Sequence, residues 1–413
     1  MQPIAVNEAN QWRLATPSPK GWERSPRAHA PNKYFMISAD SHLAPPMNIY
    51  KERIESCFID RLPSIMVKDG VQYQVVDGAR PAPILRTELF GEDKYRQDIG
   101  KGAPTEAEVE AQLQQRMEDL DLDGIDAELL FPNGPALTAF WTPDPAFAQA
   151  QFRIYNDWAV AATRPFKDRM TVAACVSTED VESAIVEINR VAKLGYRVLT
   201  LPSKPVPGPA DVSQVNYNHA HFDPMWAAIQ DADLAITFHV STGRDPRTAR
   251  GAGGALINFS VNGIPTAMEP IATLCTSGVL ARFPSLRFAS VECGVGWLPW
   301  FLDTMDEGYR KHHHWVRPKL EALPSEYFRA HGAVTFGEDH AGMALLEQYH
   351  LGDNAMWAND YPHHEGTWPH SAEAIEREMD VLSEETRRKV LGLNAAKMFG
   401  FTIPEGYRQL GAQ

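Results

Sequence analysis

Along the chain, short apolar runs alternate with stretches in which apolar side chains recur every three to four residues. The runs predict β-strands near 34–40 (YFMISAD), 125–131 (IDAELLF), 170–176 (MTVAACV), 196–201 (YRVLTL), 234–240 (LAITFHV), 286–292 (LRFASVE), 333–336 (AVTF) and 355–360 (AMWAND). Most are continuously apolar rather than alternating, as strands buried on both faces are. Over 179–194, Val181, Ala184, Ile185, Ile188, Val191 and Ala192 form one helical stripe. Ser177 or Thr178 is placed to cap that helix and Gly195 to end it. Val109, Leu113, Met117 and Leu120 repeat similarly before Gly124. Eight strands with intervening helices predict an α/β fold of the (β/α)8 barrel type. A doubly wound sheet is the rival, but no Gly-x-Gly-x-x-Gly follows a strand and opens a helix.

Four regions exceed a minimal barrel. Residues 1–33 read as an irregular arm whose Trp12 and Trp22 would pack on the body or on a neighbouring subunit. The remainder, 34–413, reads as one barrel domain in which 43–105 form an insertion capping the mouth. Residues 241–263 are expected to form a mobile loop at the active site, and 371–399 two helices outside the barrel. Composition narrows the setting. The chain has 413 residues, 44% of them hydrophobic, and a net charge of −14. With no compensating Lys/Arg block, nucleic acid is excluded as a partner. There is no apolar run of 18 residues and no signal-peptide pattern, which argues against a membrane protein. Cys57, Cys175, Cys275 and Cys293 are scattered, as reduced thiols of a cytoplasmic enzyme would be.

Candidate chemistry sits where strands end. In a barrel, the C-terminal ends of the strands converge on one mouth. The first predicted strand ends in Asp40 and His42, two apart and therefore on one side. The fifth ends in His239, the sixth in Glu292 and the eighth in Asp360. Any one of these alone would be a salt-bridged strand end or a satisfied core histidine. Four such strands together point to a divalent cation, because ionisable groups are costly to bury unpaired. Imidazole nitrogen with carboxylate oxygen suits zinc, with iron or manganese as alternatives.

The motifs "SADSHLAPPMNIY", "DLDGIDAELLFP", "HFDPMWAAI", "SGVLARFPSLRFASVECGVGWLPWFLDTMD", "MWANDYPHHEGTWPHS" and "NAAKMFG" resemble the amidohydrolase superfamily. The branch is the amidohydrolase-2 one, related to nonoxidative decarboxylases. The resemblance implies a distorted (β/α)8 TIM barrel, with Asp40, His42, His239 and Asp360 as metal ligands and Asp360 and Glu292 as catalytic groups. Decarboxylase relatives carry a catalytic His where this chain has Glu292. The Glu-x-Gly-x-Gly-Trp form, Glu292 to Trp297, is typical of the sub-branch. Two positions depart from the pattern: Ala44 stands where a Glu is usual, which favours a mononuclear site, and Asn359 stands where Ser is usual. The carboxylated lysine of dinuclear relatives has no counterpart, since Lys204 lies past Pro202.

His363 and His364 could line the pocket or bond a ligand, and Arg244 or Arg247 could grip a substrate carboxylate. His312, His313 and His314 end a helical pattern and read as solvated. Trp297, Trp300 and Phe301, at helical spacing, read as core. The leading expectation is a metal-dependent hydrolase of a small amide, ester or thioester. The resemblance leaves two alternatives: a nonoxidative decarboxylase, or a mononuclear or companion subunit of a non-heme iron/manganese O2-dependent hydroxylase of the 2-aminoisobutyric acid hydroxylase type. A homo-oligomer, or a hetero-oligomer with a related subunit, is expected.

Overall fold

The computed structural model describes residues 34–83, 105–205, 215–243, 249, 251–363 and 366–403. The arm over 1–33 lies outside them, as do Arg244, Arg247 and His364. Among the described residues, eleven strands occur in chain order. They are β1 (Ile37–Leu43), β2 (Ser64–Lys68), β3 (Val71–Val75), β4 (Ala82–Pro83), β5 (Ala127–Pro132) and β6 (Met170–Cys175), then β7 (Val198–Thr200), β8 (Ala235–His239), β9 (Phe288–Val291), β10 (Gly332–Phe336) and β11 (Ala355–Trp357). Eight of them pair in the order β1-β5-β6-β7-β8-β9-β10-β11, every pair parallel. The ring nearly closes past β11. There the Ser41–Tyr361 bridge forms, the His42 N–H donates to Tyr361 O (2.8 Å) and the Asp360 N–H to Asp40 O (3.1 Å). The fold is the (β/α)8 barrel that the alternation predicts, and each predicted strand has an observed counterpart.

Narrow strands fill the interior. Ala39, Ala127, Ala173, Ala235, Ala289 and Ala333, one each from six strands, share an inner cluster with Ile37, Leu129, Val198, Val291 and Met356. The opposite faces of the same strands, among them Leu130, Val172, Leu199, Ile236 and Phe288, pack in the outer cluster with the helices. A helix from the C-terminal part of the chain closes the floor. Ala395, Ala396 and Phe399, on the helix Asn394–Phe399, belong to the inner cluster, so this helix plugs the barrel rather than lying outside it. Gly392 makes the approach possible, because a Cβ there would fall 1.7 Å from Phe35 O.

Other local expectations are corrected. The 179–194 helix is capped by Asp180, whose carboxylate accepts from Ser183 N (3.0 Å), while Thr178 instead bonds the Tyr217 hydroxyl (2.7 Å). Gly195 ends it in the left-handed region (φ 95°) as expected. Within 241–263, residues 254–262 are helical, not loop, and the Asn258 amide ties the turn to the backbone of Ala249. Trp300 is 63% exposed, on the outward side of its helix, rather than core. The segment after β1 contains an antiparallel sheet, β2-β3-β4, turned by Asp69-Gly70. Both residues have positive φ (51° and 76°), as a two-residue type I′ hairpin requires. No helix among the described residues is long and apolar enough to cross a membrane.

Candidate metal centre

The barrel brings the sequence-predicted residues to one place. On β1 a register shift between Ser38 and Ser41 inserts one residue against β5 and aims the strand end. His42 Nε2 lies 3.6 Å from Asp40 Oδ1 and 3.2 Å from Asp360 Oδ1. His239 Nε2 lies 3.3 Å from Asp40 Oδ1 and 3.4 Å from Glu292 Oε2. Donor atoms of Asp40, His42, His239 and Glu292 all fall within 4.8 Å of one another. Those of His42, Asp360 and His363 form a second such group, so Asp360 joins the cluster through the shared His42.

Both imidazoles are set with the same hand. His42 Nδ1 faces Pro132 O (3.2 Å) and His239 Nδ1 faces Val240 O (2.6 Å). A carbonyl only accepts, so each Nδ1 carries the hydrogen and each Nε2 presents a lone pair to the cluster. The His42 and His239 Nε2 atoms are buried and meet no hydrogen-bond partner among the described residues. Their short contacts fail as hydrogen bonds because acceptors confront acceptors, an arrangement a cation relieves. The donor set fits a divalent transition metal. Burial foremost, with the neighbouring His363, lowers His42 to about 4, which keeps its lone pair available at neutral pH. Burial tends to raise Asp360, but the neighbouring His363 and His42 outweigh it and hold the carboxyl well below the usual range.

Backbone strain marks the site. Glu292 (φ 59°) and Asp360 (φ 52°) are non-glycine residues in the left-handed region, which costs of order 1–3 kcal/mol each. Such conformations persist where the surroundings impose them. Beside Asp360, His363 Nδ1 lies 3.2 Å from Oδ1. The Asn133 carbonyl oxygen accepts from Gly134 N (2.7 Å), so its amide donates to His363 Nε2 (3.1 Å) and leaves the ring hydrogen on Nδ1, facing Asp360. His363 thus contacts a predicted ligand directly. Lys204 ion-pairs with Glu269 (3.1 Å) and takes no part. Ala44 is exposed just past β1 and adds no donor.

Sequence reasoning misses the scaffold behind the candidate ligands. Arg116 and Glu128 form a buried bidentate pair (2.6 and 2.7 Å). The same guanidinium donates to His42 O (2.9 Å) and Tyr361 O (3.3 Å), joining β1, β5 and the chain after β11. Glu128, a charge inside an apolar strand, is the signal that a buried partner exists. Asn359 also finds its reason here. Its Oδ1 accepts from Ser38 Oγ (2.8 Å) and Tyr361 N (3.2 Å), and its amide reaches towards Asp123 (3.5 Å), farther than a serine could.

Asp123 is buried, and its carboxyl is pushed up to about 7 by burial, which outweighs the bonds from Ser371 and Asn359. Between roughly pH 4 and 7 the folded state therefore binds the proton better than the unfolded one. The stabilising contribution is complete below the ordinary carboxyl pKa and is lost as pH rises through about 7. Asp123→Asn is expected to flatten this part of the stability profile, measured as urea midpoints at about pH 5 and about pH 8. An unchanged slope would contradict the assignment.

No curated protein matches the chain. Solved structures share its fold. One is 5-carboxyvanillate decarboxylase from Sphingomonas paucimobilis, 22% identical over 89% of this chain and 99% of that one, TM-score 0.61. Another is an amidohydrolase from Mycobacterium avium subsp. paratuberculosis K-10, 20% identical over 90% and 99%, TM-score 0.66. A third is dihydroxybenzoic acid decarboxylase from Polaromonas sp. JS666 with bound manganese and 2-nitroresorcinol, 18% identical over 90% and 98%, TM-score 0.56. A family model described as Amidohydrolase matches residues 133–401, which include His239, Glu292 and Asp360. With its barrel, its strand-end donors and that match, the chain belongs to the amidohydrolase family, in the branch that its motifs resemble.

Proposed function

We propose that this chain is a metal-dependent hydrolase of a small amide, ester or thioester. The observation that carries the reading is a pair of carboxylates on separate ligands: Glu292 beside His239 and Asp360 beside His42. Hydrolysis needs one group to take a proton from water and another to give one to the leaving group. Asp40, His42, His239 and Asp360 would hold the ion; their donors suit zinc, and the manganese of the Polaromonas enzyme supports manganese as well. When bound, such an ion lowers the pKa of a water towards neutrality and polarises a carbonyl. Asp360 accepts the water proton, and the Nδ1–H of His363 steadies the same oxygen. Glu292, 21% exposed where Asp40 and His42 are sealed, faces the incoming substrate and protonates the leaving group as the bond to the carbonyl carbon breaks.

Glu292→Gln is expected to keep the metal and lower kcat by about 100-fold or more. Metal content measured beside kcat on an ester and amide panel checks it, and a loss of metal would make Glu292 a ligand instead.

Decarboxylation is the second reading, supported by the fold shared with decarboxylases. It requires proton delivery to carbon, for which the family resemblance implies a His in decarboxylases where this chain has Glu292. Purified protein loaded with zinc or manganese separates the two. Ester or amide cleavage without CO2 release from 2,6-dihydroxybenzoate supports hydrolysis; CO2 release alone overturns it. Turnover that appears only with iron, O2 and a related subunit supports the companion role.

A further inference from the structure

The motif Glu292-Cys293-Gly294-Val295-Gly296-Trp297 is explained neither by its one candidate catalytic group nor by helix spacing. Five consecutive backbone N–H groups begin at Glu292, and all five are taken by β10 or the turn after it. Glu292 N–H donates to Thr335 Oγ1 (2.8 Å). Cys293 and Gly294 donate to Thr335 O (3.3 and 3.1 Å). Val295 and Gly296 both donate to Asp339 Oδ2 (2.7 Å each). Asp339 Oδ1 accepts from Gly342 N (2.8 Å), and the Trp297 indole closes the turn on Cys293 O (2.7 Å). The glycines make room for that carboxylate. A Cβ at Gly294 would meet Asp339 Oδ2 at 3.0 Å, and one at Gly296 would meet Oδ1 at 2.9 Å.

We infer that Thr335 and Asp339 are positioning residues that hold Glu292 in its left-handed conformation beside His239. β10 ends in none of the candidate donors, and its contribution to the site is this clamp. A non-glycine residue at φ 59° relaxes unless its neighbours fix it. Thr335, fully buried on β10, fixes the start of the turn, and Asp339 fixes its far end. Relaxation of Glu292 would swing its carboxylate away from His239 while leaving the other donors in place. The inference rests on the proposed acid–base role of Glu292, but its geometry does not.

The test uses the full chain loaded with zinc or with cobalt(II). Thr335→Val keeps the side-chain shape and removes the acceptor, Thr335→Ser restores it, and Asp339→Ala removes the distal anchor. With zinc and 4-nitrophenyl acetate, Thr335→Val and Asp339→Ala are expected to lower kcat at least about tenfold with KM nearly unchanged. Added to Glu292→Gln, neither should cause further loss, because each acts through Glu292. With cobalt(II), both should reproduce the visible spectrum of Glu292→Gln, and Thr335→Ser that of wild type. Wild-type spectra and rates in Thr335→Val and Asp339→Ala, or losses that add to that of Glu292→Gln, overturn the inference. If wild type leaves the ester intact, the hydrolase reading fails while the cobalt spectra still decide the clamp.

Discussion

Replacing His239 by Ala is expected to abolish stoichiometric metal binding, with apparent affinity reduced by more than about 100-fold. A ligand should cost more than its supporting hydrogen bonds, whose loss already costs about 10–100-fold. His239 is the sharpest place to cut. Its Nε2 lies between Asp40 and Glu292, its Nδ1 is committed to Val240 O, and the side chain is sealed from solvent. Removing the ring takes away the group that lies between the Asp40 and Glu292 carboxyls. Metal titration followed by elemental analysis measures the effect, and thermal denaturation of the metal-free protein checks that the fold survives. Full metal occupancy in His239→Ala would remove this residue from the centre.

Arg116→Ala is expected to destabilise the fold by about 3–5 kcal/mol, since it strands Glu128 as an uncompensated buried charge. The pair does more than neutralise itself. It ties the His42 and Tyr361 carbonyls on the two sides of the closing seam, and the guanidinium lies 4.6 Å from the centre of the Tyr361 ring. A well-packed apolar pair at 116 and 128 should recover much of the stability, because buried ion pairs contribute little net. It should not recover metal affinity, because the carbonyl of His42 loses its anchor. Urea unfolding read beside metal titration separates the two effects. Equal recovery of both would show that the pair only packs the barrel.

Much of this architecture is legible locally, and the rest depends on partners far along the chain. Apolar runs such as LAITFHV mark barrel strands because both faces of a parallel strand are buried. The ionisable residues at their ends stand out for the same reason: Asp40, His42, His239 and Asp360 are titratable groups buried where apolar runs end. The hairpin over 64–75 has the opposite character. β2 carries the apolar run Ile65-Met66-Val67 yet is exposed along its whole length, so its sequence does not tell it from a buried strand, although Asp69-Gly70 is a turn signal in plain view. The Asp180 cap, the helix over 254–262 and the plugging of the floor by Phe399 depend on geometry that no residue spacing encodes. Asp339 lies 47 residues beyond Glu292, on another strand's loop, and only the parallel pairing of β9 with β10 brings them together. The His363 tautomer follows from Asn133, which is distant in sequence and adjacent in the barrel.

The account stands on a metal held by Asp40, His42, His239 and Asp360. Elemental analysis of the purified protein, before and after dialysis against zinc and manganese, tests this most directly. The result it predicts is a single equivalent of divalent transition metal per chain, lost in His239→Ala and kept in Glu292→Gln. Metal that stays well below one equivalent under every loading condition would contradict it.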